Sequence, residues 1–163
     1  MSSLPRVTEA AREQVAREFD ELGPETCMAA ISADLERDNP ELLDMAFKWA
    51  RDVGNPSRVM MGFGMFYQLL SGKICADAGS ALSALPRVTP QTRDLIVSEI
   101  DAKGTEAFTT EAVEALERDN PELLQTAHNF AAAHSDYLGV MQGFAVLYRA
   151  MAVQAAQDRA LLH

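Results

Sequence analysis

Nine residues, LERDNPELL, occupy positions 35–43, and the same nine recur at 116–124. A second word, LPRVT, stands at 4–8 and again at 85–89, at the same offset of 81. Sliding the whole chain by 81 makes 27 of the 76 pairs from 4/85 to 79/160 identical, without a gap. Among them are Arg12/Arg93, Glu18/Glu99, Gly23/Gly104, Ala46/Ala127, Gly62/Gly143, Phe63/Phe144 and Tyr67/Tyr148. Self-similarity on this scale points to one supersecondary unit built twice, here residues 4–79 and 85–160. It also disfavours short-period solenoids, whose repeats fall near 34 or 40 residues.

Within a unit, apolar spacing predicts four helices. The first runs from about Thr8 to Leu22, with Thr8 as N-cap, Ala11, Val15, Phe19 and Leu22 on one stripe, and Gly23 just past the end. Its copy starts at Thr89 with Pro90 at the first helical position, where the missing N–H costs nothing. The second helix covers about Glu25–Arg37, with Cys27, Ile31 and Leu35 on its core face. Phe108, Ala112 and Leu116 replace them at roughly constant volume. The third starts inside the repeated word: Asn39 is the expected cap, Pro40 presets φ, and Glu41 suits the positive end of the helix dipole. Leu42, Ala46, Trp49 and Ala50 then form a stripe, copied as Leu123, Ala127, Phe130 and Ala131. The fourth, about 56–77 and 137–157, is apolar on nearly every side. Such a helix needs cover all round, which a unit of about 80 residues cannot supply alone.

The expectation is therefore one all-α, eight-helix bundle spanning 1–163. The two apolar helices pair at its centre about a pseudo-twofold axis, and Gly62 and Gly143 let their backbones approach. The joining segment AGSALSA (78–84) is too short and apolar for a free linker.

Composition narrows function by exclusion. The net charge is −10, divided evenly between the halves at −5 each, and the pI is about 4.7. Nucleic-acid backbones and anionic membranes both call for clustered Lys and Arg, so neither is an expected partner. The N-terminus lacks the basic and apolar regions of a secretory signal, and the longest uncharged runs are too short to span a bilayer. With two cysteines, Cys27 and Cys75, and no CxxC pair, a cytoplasmic protein with free thiols is expected.

No catalytic constellation is legible. The chain has no nucleotide-binding glycine loop, no G-x-S-x-G, no H-E-x-x-H and no Glu-x-x-His pair of the di-iron bundles. His128 and His134 are the only weak candidates for metal or haem ligation, and their separation of six does not set them side by side on a helix. No cofactor is expected.

Two sets of residues remain. Met60, Met61, Phe63, Met65 and Tyr67, with Met141, Phe144 and Tyr148, are the lining expected of any apolar ligand pocket between the central helices. Glu36, Arg37, Asp38 and Glu41, with Glu117, Arg118, Asp119 and Glu122, are the polar letters of the repeated word. They serve either a contact surface or the corner between the second and third helices, with Arg37 and Arg118 bridging to carboxylates that fix that corner. The leading expectation is a non-catalytic scaffold or regulator that binds a protein partner or itself. A small-molecule, metal or haem binder is the alternative, and a helical enzyme without a readable signature comes third.

Overall fold

The two glycines that punctuate the sequence also punctuate the structure. In a computed structural model, which describes residues 4, 6–53, 56–71 and 85–161, Gly23 and Gly104 adopt φ of 88° and 90°. Their N–H groups close the preceding helices onto Phe19 O and Ile100 O, and a new helix starts at once. That backbone strains any residue carrying a Cβ. The helices are α1 Glu9–Leu22, α2 Pro24–Asp38, α3 Pro40–Val53 and α4 Pro56–Ser71. They are followed by α5 Pro90–Lys103, α6 Thr105–Asp119, α7 Pro121–Ala132 and α8 Tyr137–Leu161. Each of the last four starts 81 residues after its counterpart. There is no strand among the described residues.

Thr8 and Thr89 cap α1 and α5 as their sequence context predicts. Their hydroxyls accept from Ala11 N at 3.1 Å and Thr92 N at 3.2 Å, a contribution of about 1 kcal/mol each. α4 and α8 are buried along most of Val59–Leu70 and Val140–Met151. α4 packs against α1, α2, α3, α7 and α8, and α8 against α3 through α7. Their rings meet directly. Phe63 stands edge-on to Phe144 at 5.1 Å, and Phe66 lies 5.0 Å from Phe144 and 6.4 Å from Tyr148. The hydrophobic core draws on all eight helices.

Two expectations change. Gly62 and Gly143 do not admit a second backbone. A Cβ on Gly62 would strike the ring of Phe130, and one on Gly143 the rings of Phe63 and Trp49. Each glycine is a seat for an aromatic side chain, at equivalent positions 130 and 49, from the helix before the other central helix. α8 also runs on to Leu161, past the expected end near 157. Cys75, the AGSALSA segment and the last part of the expected 56–77 helix lie outside the described residues.

Candidate functional site

The repeated word forms the α2–α3 corner in the first half and the α6–α7 corner in the second. Leu35, Leu42, Leu116 and Leu123 are buried in the core. Asn39 and Asn120 break the helices with φ near −153° and are 1% exposed. The sequence suggests helix caps, but their side chains reach elsewhere. Asn39 Oδ1 accepts from Val88 N at 2.9 Å, and Asn39 Nδ2 donates to Pro86 O at 2.7 Å. Asn120 Oδ1 accepts from Val7 N at 3.0 Å and makes no cap bond to α7. Each LERDNPELL corner therefore holds the LPRVT stretch of the other half, whose Leu4, Val7, Leu85 and Val88 are buried.

The same exchange governs charge. Arg12 pairs with Glu122, and Arg93 Nη1 pairs with Glu41 Oε2 at 2.7 Å. Shifting both partners by 81 and exchanging halves converts one pair into the other, and the Asn–Val bonds obey the same rule. A two-fold-related interface has this self-complementary pattern. Sequence reasoning picked out Glu41 and Glu122 but missed Asn39, Asn120, Arg12 and Arg93 as cross-links. The available signal was their identity in both copies.

Arg37 and Arg118 are placed differently from the expectation. Arg37 donates to Asp38 at 3.0 Å and Asp34 at 2.9 Å, and Arg118 donates to Asp119 at 3.2 Å. These carboxylates belong to the last turns of their own helices, so the pairs do not span the corner. A guanidinium at this end suits the helix dipole as well. The hydrogen bond to Asp38 raises the Arg37 pKa, and that to Asp119 does the same for Arg118. The side chains remain 50% and 71% exposed. Glu36 and Glu117 are exposed, and Asp38 and Asp119 half-buried.

The Met and aromatic set is core. Met60, Phe63, Tyr67, Met141, Phe144 and Tyr148 are all buried. The space left beside Met60, Phe63, Phe66, Tyr67 and Met151 is about 10 Å³, at most one water. Met61 and Met65 are half-buried, Met65 beside an open groove between α1 and α7. Neither histidine meets a metal-like cluster: among the described residues no group of three His, Cys, Asp or Glu could hold an ion. His128 Nδ1 lies 2.8 Å from the Tyr137 hydroxyl, and His134 Nδ1 accepts from Asp136 N at 3.0 Å in the turn into α8. Cys27 is a free, fully buried thiol. Among the described residues, no helix is long and apolar enough to cross a membrane.

Comparison with protein-family models, curated proteins and solved structures finds no match for this chain.

Proposed function

We propose that the chain is a duplicated four-helix unit whose halves pair about a pseudo-twofold axis, forming one domain that works as a non-catalytic interaction protein in the cytoplasm. The pairing is supported by the reciprocal Asn39–Val88 and Asn120–Val7 bonds and by the reciprocal Arg93–Glu41 and Arg12–Glu122 pairs. A free, buried Cys27 suits a reducing compartment.

One observation carries the interaction reading. The duplicated word contains more than its corner uses: Leu35, Asn39, Glu41 and Leu42 hold the halves together, while Glu36 and Arg37 point to solvent in one copy and Glu117 and Arg118 in the other. Exposed local ion pairs stabilise by only about 0–1 kcal/mol, too little to account for the same letters in both places. Two matched Glu–Arg patches, each Arg oriented by a neighbouring carboxylate, suit a protein partner or a second copy of the chain.

The double variant Arg37→Ala/Arg118→Ala tests this. Light scattering across concentrations, paired with affinity capture from the native cell, should show an assembly formed by the parent chain and lost in the variant. The melting temperature should barely move. A parent chain that stays monomeric and retains the same proteins as the variant would overturn the reading.

A further inference from the structure

An open groove runs between α1 and α7 over a floor supplied by α4. It encloses about 390 Å³. Val15, Met65 and Leu69 form the apolar floor, with Phe130 beside them. The α1 wall is one helix face at the spacing i, i+3, i+4, i+7, namely Glu9, Arg12, Glu13 and Ala16. The other wall repeats that spacing from Thr126 to Ala133, the C-cap of α7. Two turns of helix make a trough on the order of 10 Å long.

The shape selects among ligands. Glu9, Glu13, Ala16, Asn129 and Ala133 are exposed, so the rim is open to solvent. Small-molecule sites cover most of their ligand, which an open trough does not. A trough with helical walls instead receives the ridge of a further helix.

The charge is one-sided. Arg12 is paired with Glu122, and Arg58 lies 5.5 Å over the Phe130 ring. Among the described residues no cation pairs with Glu9 or Glu13. The three helices that build the groove carry six carboxylates, five on α1 and Glu122 on α7, against Arg12, Arg17 and Arg58. At the positions 81 residues away, all of them described, the balance differs. There Asp94 and Asp52 stand against Arg93 and Lys48, with Pro90 in place of Glu9 and Lys48 in place of Asn129. An acidic wall facing a neutral one is therefore particular to the α1–α7 side.

We propose that the α1–α7 groove receives an amphipathic helix of a partner protein, whose apolar side chains enter over Met65 and Phe130 and whose Lys or Arg side chains lie along Glu9 and Glu13. The apolar residues of that helix recur at three- and four-residue spacing, matching the walls. The neutral α7 wall makes no charge demand on its opposite flank, so the α1 side sets its orientation. The site uses none of Glu36, Arg37, Glu117 and Arg118, so it stands or falls independently of whether the repeated word recruits a partner.

The probe is a synthetic helix roughly four turns long, made of leucine, alanine and lysine, with leucines on one stripe and lysines along one flank. Titration of the full chain, followed by calorimetry and by the methyl signals of Ala16, Met65 and Ala133, should show it binding in the groove. The same peptide with glutamate for lysine should not bind. Glu9→Gln/Glu13→Gln should weaken the lysine peptide roughly tenfold, the scale of two exposed ion pairs. Asp101→Asn/Glu106→Gln removes the same charge from exposed positions on α5 and α6, and should change affinity by less than about twofold. Ala16→Trp, at an exposed position, fills the groove and should abolish binding. Circular dichroism reports the fold of every variant. No shift at the groove, equal weakening by the two double variants, or full binding by Ala16→Trp would each overturn the proposal. So would groove signals that move with protein concentration alone, which would seat a second copy there, or that move as far with hexylamine, which would mark a small-cation site.

Discussion

Trp49 and Phe130 occupy the same place in the two halves and settle there by different chemistry. Trp49 lies on Gly143, and its indole Nε1–H donates to Gly139 O at 2.7 Å. Phe130 lies on Gly62, with no hydrogen to give. There Arg58, from the first half, takes the place of Gly139, and its guanidinium sits 5.5 Å above the Phe130 ring. One seat is closed by a hydrogen bond, the other by a cation over an aromatic face. The shape of the joint is common to both halves and the polar chemistry around it is not. The same lesson holds where α5 meets α8. Thr92 is fully buried and its hydroxyl reaches Gln154 Oε1 at 2.5 Å, whereas the first half has Ala11 at that position.

The largest effects should come where the halves are alike. Asn39→Ala removes the partner of the buried Val88 N–H and of Pro86 O, and Asn120→Ala strips Val7 N–H. Each should lower unfolding free energy by about 2–3 kcal/mol in urea titrations, since an orphaned buried group costs its desolvation. If one substitution is silent, the halves are not held by matched bonds.

The glycine seats should then separate the halves. In Gly143→Ala the new Cβ meets two ring systems, so the cost should be about 1–3 kcal/mol. In Gly62→Ala it meets only the half-buried Phe130, which can shift, and the gain of up to about 1 kcal/mol in helix propensity offsets part of the strain. Thermal unfolding that ranks Gly62→Ala as the worse change would contradict this picture.

A smaller difference is expected from the aromatic residues themselves. Trp49→Phe loses the hydrogen bond to Gly139 O and should cost about 1 kcal/mol, more than Phe130→Trp, which gives up no hydrogen bond. Denaturant midpoints for the two variants and their combination would resolve this.

The smallest expected effect is on pH dependence. The hydrogen bond from Arg149 holds the Glu99 carboxyl below its ordinary range, against the opposing effect of burial and with help from Lys103. A lowered folded-state pKa means that Glu99 stabilises fully above the unfolded carboxylate range, near about 4.3, and that this is lost as pH falls through the lower folded value. Lys103, raised first by Glu111 and then by Glu99, behaves oppositely. Its contribution is complete below the unfolded lysine range and lost as pH rises through the raised folded value. Glu99→Gln should therefore flatten the acid limb of the melting curve between pH 5 and pH 3 by no more than about 1 kcal/mol, and leave the alkaline limb to Lys103→Gln with Glu111.

Much of the fold was legible before any coordinates. Helical periodicity, the Thr8 and Thr89 caps and the Gly23 and Gly104 breaks are local, because each acts within one turn of chain. The nearly all-apolar fourth helices implied their own central burial, since the cover they need has to come from both halves. The candidate site was far less legible. Arg37 looked like a corner brace because its letters are duplicated, yet its nearest acids are in its own last turn. Asn39 looked like a cap because Asn before Pro usually is one, yet its amide serves a backbone 49 residues away.

The sequence by itself determined where helices start and stop, which faces are apolar, and that the same words recur at an offset of 81, because those properties depend on neighbours within a few residues or on direct self-comparison. Only the tertiary structure decided that each LERDNPELL corner clasps the LPRVT of the other half and that the paired glycines seat rings. Those outcomes depend on which surfaces meet across about 40 to 110 residues of chain, and a long-range hydrogen bond leaves no periodic trace in the segment that makes it.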